Sequence, residues 1–257
     1  GLGIVLDIVP NHMGVSDENR WWSDPALRAK FFDIDEETGA HRRFFDIDDL
    51  AAIRQEDREV FEVTHRKVLE LLADGVIDGL RVDHPDGLSD PAGYLTWLRD
   101  ITGPDAWIVV EKILAADEPL EPTLPVAGTT GYDAMREIGG VFIDAGGQQA
   151  LTDLFDSTGV PYSSMPDLAR TLKARAVTET LGSELARLRR TIVAAAGTDH
   201  DDLPAAIAAL LSRIGVYRSD YRSLSGVLPT AFAETAAAEP DLAAPLALIA
   251  AALAVRT

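Results

Sequence analysis

Short apolar runs that end on a charged or turn-forming residue recur through the first half of the chain. Ile4-Val5-Leu6-Asp7-Ile8-Val9 stops at Pro10, Gly79-Leu80-Arg81-Val82 runs into Asp83, and Trp107-Ile108-Val109-Val110 runs into Glu111. Short runs of this kind predict buried strands, as in a parallel sheet covered on both faces. Between them the period changes. Glu56 to Ala73 places Val60, Phe61, Val68, Leu71 and Leu72 near helical spacing, and Asp74-Gly75 stops it. A second helix is predicted around Ala92–Asp100. Strands alternating with helices predict βαβ units. Val141-Phe142-Ile143-Asp144 reads as one more strand. From about Gly147 the alternation fades and helices are predicted over Leu168–Ala176, Thr178–Ala195, Leu203–Ile214 and Ala231–Ala238. Leu242–Val255 is apolar but interrupted by Pro245 and too short for a membrane span, so it predicts a packed helix. The pentapeptide Phe-Phe-Asp-Ile-Asp occurs at 31–35 and 44–48, which suggests two similar loop turns, not a repeat architecture. Trp21 and Trp22 fall in a polar stretch read as a loop.

Composition narrows the class. At 257 residues and 47% hydrophobic, the chain can bury a large core and is not a disordered segment. A formal net charge of −19 sets it against nucleic acid and anionic membranes and favours a neutral substrate. With no cysteine, disulfide and thiol chemistry are excluded. The chain opens on Gly1 inside a predicted strand, so further sequence is expected upstream.

Two carboxylates stand out at predicted strand ends. Arg81 and Asp83 are two apart and so face the same side of a strand. A neighbouring cation favours the ionised form that a carboxylate nucleophile needs. Glu111 closes an apolar run, a setting suited to a carboxyl group that must carry a proton. One ionised and one protonatable carboxyl group are the minimum for retaining glycoside chemistry, with the two about 5–5.5 Å apart. A metal-dependent barrel with Mg²⁺ on Asp7, Asp83 and Glu111 is the competing reading. Arg81 counts against it, because a cation beside Asp83 competes with the metal.

Asp7-Ile8-Val9-Pro10-Asn11-His12, Gly79-Leu80-Arg81-Val82-Asp83 and Val110-Glu111-Lys112 resemble, in order, the first three signatures of the α-amylase superfamily of glycoside hydrolases and transglycosylases. Within it, the phrases Val9 to Met13, Asp78 to Leu88, Val110 to Leu114 and Gly128-Thr129-Thr130-Gly131-Tyr132-Asp133 are most similar to the maltooligosyltrehalose synthase family. The resemblance is dense from Gly3 to about Asp144 and thins beyond, where Val216-Tyr217-Arg218 is its main echo. It implies part of a (β/α)8 barrel over residues 1–146, entered at about its third strand, with a mainly helical subdomain over 147–257. No match to the family's fourth signature, which carries a third catalytic carboxylate, precedes Thr257. Only Glu36 to Arg43 separates the two pentapeptides, where the family carries a long insertion. By itself such a chain is expected to lack a complete active site.

The resemblance also implies roles. Asp83 becomes the nucleophile and Glu111 the general acid/base, with Arg81 orienting Asp83. His12, His84, Asp86, Tyr132 and Asp133 are candidate substrate contacts, while Asp7 and Asn11 support the loop. Trp21 and Trp22 are candidates for stacking on glucose or for core anchoring. The implied reaction is an intramolecular transglucosylation of maltodextrins that turns the reducing-end α-1,4 bond into an α,α-1,1 bond. It needs neither metal nor organic cofactor. Its partners would be a maltooligosaccharide or α-glucan and, in a pathway, a trehalose-releasing hydrolase, in the cytoplasm. An amylase-type hydrolase or transglycosylase and a non-catalytic amylase-fold binding protein are the alternatives.

Overall fold

The computed structural model describes residues 2–160 and 164–255, which divide into two compact units, 1–133 and 134–257. The first is built on four parallel strands. β1 (Val5–Ile8) is followed by an excursion in which β2 (His12–Gly14), the short helices α1 (Arg20–Ser23) and α2 (Pro25–Phe31), β3 (Arg43–Phe44) and β4 (Ile47–Ala52) form a separate layer. The chain returns through α3 (Arg58–Ala73) to β5 (Gly79–Val82), then α4 (Pro91–Thr102), β6 (Trp107–Val110) and β7 (Gly128–Thr129). The parallel sheet runs β1-β5-β6-β7, so strands adjacent in the chain order are adjacent in space. That is the order of a barrel segment.

Local chemistry explains the boundaries. The Asp57 carboxylate caps α3 by accepting from the Glu59 and Val60 amides, and Asp90 caps α4 by accepting from Gly93 N–H, with Pro91 in the first turn. Gly75 (φ 66°) and Gly103 (φ 80°) end these helices in conformations that side chains resist. Leu80, Val82, Ile108 and Val110 are fully buried, as are Phe61, Leu95 and Leu98 on α3 and α4. A Cβ on Gly79 would run into the Trp107 carbonyl, so β5 and β6 approach closely there because position 79 has no side chain.

The excursion layer is an antiparallel sheet of order β2-β4-β3, which the sequence did not predict. Its core joins Phe31, Phe32, Ala51, Ile53 and Val60, with Trp21 and Trp22 packed on it. The two pentapeptides are not two similar loop turns: the first bridges this sheet in extended form, Phe32 to Ile53 and Ile34 to His41, whereas the second holds the β3–β4 turn at Phe45-Asp46, across which Phe44 and Ile47 pair. The Trp21–Trp22 stretch is helical.

The second unit is helical. The chain runs through α5 (Tyr132–Gly140), whose first turn holds the division, α6 (Gln148–Asp156) and α7 (Met165–Arg175). A π-helical stretch (Ala176–Thr180) leads into α8 (Gly182–Ala196), then α9 (Leu203–Arg213), α10 (Val227–Ala238) and α11 (Ala243–Ala254). Leu203, Ile207 and Leu210 of α9 pack with Ile192, Ala231, Leu246 and Ile249 in one core. The strand expected at Val141–Asp144 is absent: the segment turns, with the Val141, Phe142 and Ile143 N–H groups donating to the Ile138, Gly139 and Gly140 carbonyls and the three side chains exposed. Among the described residues no single helix is long and apolar enough to cross a membrane.

Candidate active site

Asp83 and Glu111 are delivered by adjacent strands. Val82 pairs with Val110, and each acid is the next residue beyond the C-terminal end of its strand. Backbone bonds fix both: Asp83 N–H donates to Ile8 C=O at 2.8 Å, and Glu111 N–H donates to Val82 C=O at 2.8 Å. The alternation of β5 buries Leu80 and Val82 and leaves Arg81 and Asp83 on the other side. The C-terminal rim of parallel strands is where barrels place chemistry.

Arg81 ties the acids together. Its Nη1 donates to Asp83 Oδ1 at 2.9 Å and to Asp7 Oδ1 at 2.6 Å, and its Nη2 lies 3.4 Å from Glu111 Oε1. Burial works to lower the Arg81 pKa, but the bonds and charges of Asp7 and Asp83 outweigh it and hold the guanidinium above its ordinary range. The group therefore stays charged, and it occupies the space among the three carboxylates that the Mg²⁺ reading required. Asp7, expected only to support the loop, is its second partner.

Glu111 has two further neighbours. The His84 N–H donates to its Oε2 at 3.2 Å, and the Tyr132 hydroxyl lies 3.4 Å from Oε1. His84 stands in the left-handed region (φ 43°, ψ 54°), uncommon for a residue with a side chain, and this turn is what accompanies the aim of its amide at Glu111. Next in the loop, a Cβ on Gly87 would strike the His84 ring and the Asn11 amide.

Aromatic rings from the antiparallel layer line the same rim. His12 stacks on Phe44 at 4.0 Å between centroids, and Phe44 meets the His84 ring edge-on at 5.1 Å. Phe45, exposed and at φ 51°, lies 5.5 Å from His84. Burial lowers the pKa of His12 against the pull of Asp83, and that of His84 against the pull of Asp86, Asp83 and Glu111, which favours the neutral ring in each.

Other predicted contacts are engaged elsewhere. Asp86 Oδ2 lies 2.9 Å from Lys112 Nζ, with both side chains buried. Asp133 accepts from the Thr129 hydroxyl at 3.1 Å. Trp21 stacks on Phe31 at 4.7 Å and Trp22 meets Phe32 edge-on, so both serve the core of the antiparallel layer. Sequence reasoning did not single out Phe44, Phe45 or Lys112. The first two carried a signal, an aromatic pair inside a repeated phrase, whereas nothing local marks where Lys112 points.

No protein-family model matches the chain. A Mycobacterium tuberculosis protein named "Putative maltooligosyl trehalose synthase" is 46% identical over 324 aligned positions, covering 99% of this chain and 42% of that protein. The aligned span exceeds the 257 residues of the chain, so that relative carries internal stretches absent here. Among solved structures, maltooligosyltrehalose synthase from Arthrobacter ramosus superposes with a TM-score of 0.90 at 32% identity, over 100% of this chain and 44% of that one. A maltooligosyl trehalose synthase structure from Sulfolobus tokodaii matches with a TM-score of 0.75 at 24% identity, a likeness of fold. The chain thus spans less than half the length of the relatives it matches. In sequence and in fold the chain is similar to part of the maltooligosyl trehalose synthases, and like that part it combines a segment of an amylase-type barrel with a helical region.

Proposed function

We propose that this chain carries two of the catalytic carboxylates of a (1→4)-α-D-glucan 1-α-D-glucosylmutase, which isomerises maltodextrins to maltooligosyl trehaloses. Residues 1–146 supply part of the catalytic barrel and 147–257 a helical subdomain. The observation that carries this reading is the Arg81 guanidinium contacting both Asp83 and Glu111 at the ends of neighbouring parallel strands. It orients two carboxyl groups on one site, as retaining glycosyl transfer requires.

Asp83 attacks the anomeric carbon of the penultimate glucose while Glu111 protonates the departing oxygen of the reducing-end glucose. That glucose turns in place. Its anomeric hydroxyl then gives a proton to Glu111 and attacks the glycosyl-enzyme, expelling Asp83 and closing the α,α-1,1 bond. Water must be kept out, since it would yield hydrolysis. His12 and His84, neutral and packed on Phe44, are the proposed contacts for hydroxyls of the sugars, with Tyr132 beside Glu111. Asp86 and Asp133 act through the loops they fasten. A trehalose-releasing hydrolase would consume the product, in the cytoplasm.

The test incubates the full-length polypeptide carrying this chain with maltopentaose and follows reducing ends and free glucose together. Loss of reducing ends with little glucose is expected. A rise in reducing ends would replace the isomerase with an amylase-type hydrolase, and no change in either would remove both.

A further inference from the structure

Lys112 is the residue after the proposed acid/base, yet its side chain turns away from solvent and is only 1% exposed. Its ammonium lies 2.9 Å from Asp86 Oδ2 and 2.8 Å from Glu118 Oε1, and those side chains are 6% and 1% exposed. Asp86 belongs to the loop that follows Asp83, in the turn Pro85–Gly87. Glu118 belongs to the loop that follows Glu111, and its Oε2 accepts from Ala115 N–H at 3.0 Å. The two arms of Lys112 therefore differ. One folds its own loop back on itself, and the other crosses to the loop of the neighbouring strand.

We infer that Lys112 is a positioning residue, whose buried pairing with Asp86 locks the Asp83 loop to the Glu111 loop and so sets the separation of the two carboxylates. A strand pair alone fixes Asp83 and Glu111 only at their backbones. The side chains extend beyond the last ladder bonds, where Arg81 joins the two carboxylates to each other but not their loops. The lock closes a small circuit there: Glu111 to the His84 amide at 3.2 Å, His84 through Pro85 to Asp86, and Asp86 through Lys112 back to Glu111. A lysine suits this post because its three donors can serve two carboxylates on a buried point charge. Arg42 holds the far end of the same turn, donating from Nη1 to the Gly87 carbonyl at 2.7 Å.

The role of Lys112 in turnover rests on the reaction proposed above, but the lock itself does not, and two readouts separate them. In full-length protein, Lys112→Gln and Asp86→Asn should each lower kcat by about 10–100-fold while KM for maltodextrin stays within about 3-fold. Glu118→Gln, which cuts the arm that stays within one loop, should leave kcat within about 3-fold. Hydrogen exchange at the His84 amide should quicken by about 10-fold or more in the first two variants and by less than about 2-fold in the third. Lys112→Arg keeps the charge but moves the pairing point, and it serves if the neutral variants fail to fold: its kcat should fall by about 5-fold or more. Wild-type protein without glucan turnover would overturn the proposed reaction alone, with the exchange data still deciding the lock. Unchanged kcat and unchanged His84 exchange in Asp86→Asn, or in Lys112→Arg, would overturn the positioning role.

Discussion

The two units of this chain bury different things. In the first, Asn11, Gln55, His65, Lys112, Glu118 and Glu121 are all buried. Among the described residues of the second, the buried polar ones are Ser212 and Thr235, and each simply returns its hydroxyl to a carbonyl of its own helix. The helical unit is held by interchangeable apolar contacts, which give stability without demanding one geometry. The barrel segment spends interior space on charges that tolerate few arrangements. Buried ion pairs are poor sources of stability, so their presence beside Asp83 and Glu111 argues for geometry as what they secure.

Four perturbations would sharpen or break this contrast. The largest concerns rate. Asp83→Asn should lower turnover on the order of 10³-fold or more with the melting temperature nearly unchanged, as assayed on maltopentaose. Activity within a few-fold of wild type would remove Asp83 as nucleophile. Next, Lys112→Met leaves Asp86 and Glu118 buried without their cation and should cost about 3–5 kcal/mol in urea unfolding, with the loss seen in amides of residues 79–118. A loss below about 1 kcal/mol would show that water reaches the pair and that the first unit tolerates other arrangements of these charges.

The third perturbation is pH. His65 donates from Nδ1 to the Phe61 carbonyl at 2.9 Å, so its Nε2 accepts from the Tyr94 hydroxyl at 2.7 Å. Burial lowers its pKa from 6.5 to about 4. Between those values the unfolded chain binds the extra proton, so stability is complete above about 6.5 and declines as pH falls toward 4, by on the order of 3 kcal/mol. His65→Gln should show a smaller drop in urea midpoint between pH 7 and pH 4.5 than wild type; equal drops would assign the acid sensitivity to other groups. The smallest effect lies in the helical unit. Thr235→Val removes a hydroxyl bound only to its own helix and should change stability by less than about 1 kcal/mol in thermal unfolding. A larger loss would mean that this core, too, depends on a placed polar group.

What was legible in the sequence follows the same division. The strand ends carrying Asp83 and Glu111 could be read because a short, mainly apolar run that ends on a carboxylate is a local pattern. The helices around Val60–Leu72 and Leu203–Leu211 could be read because their spacing is local as well. The antiparallel layer could not. β4 reads Ile47-Asp48-Asp49-Leu50-Ala51-Ala52, its acidic residues face solvent, its hairpin partner β3 is only two residues long, and its pairing with β2 comes from residues far away in sequence. Val141–Ile143 shows the converse error, since a β-branched, aromatic triplet has strand propensity but nothing beside it to complete a ladder. At the site, residue types announced the carboxylates. The reach of Arg81 to Glu111 and of Lys112 to Asp86 depends on side-chain directions that no one-dimensional spacing encodes.

The burial of Lys112 also makes it a chemical clock. Lys30, Lys67 and Lys173 reach solvent, so an amine-reactive label meets them without any opening of the fold. Lys112 can react only in molecules whose strand-end loops have parted. Its labelling rate therefore counts openings of the site, and a glucan that bridges those loops should slow this one lysine while leaving the other three untouched.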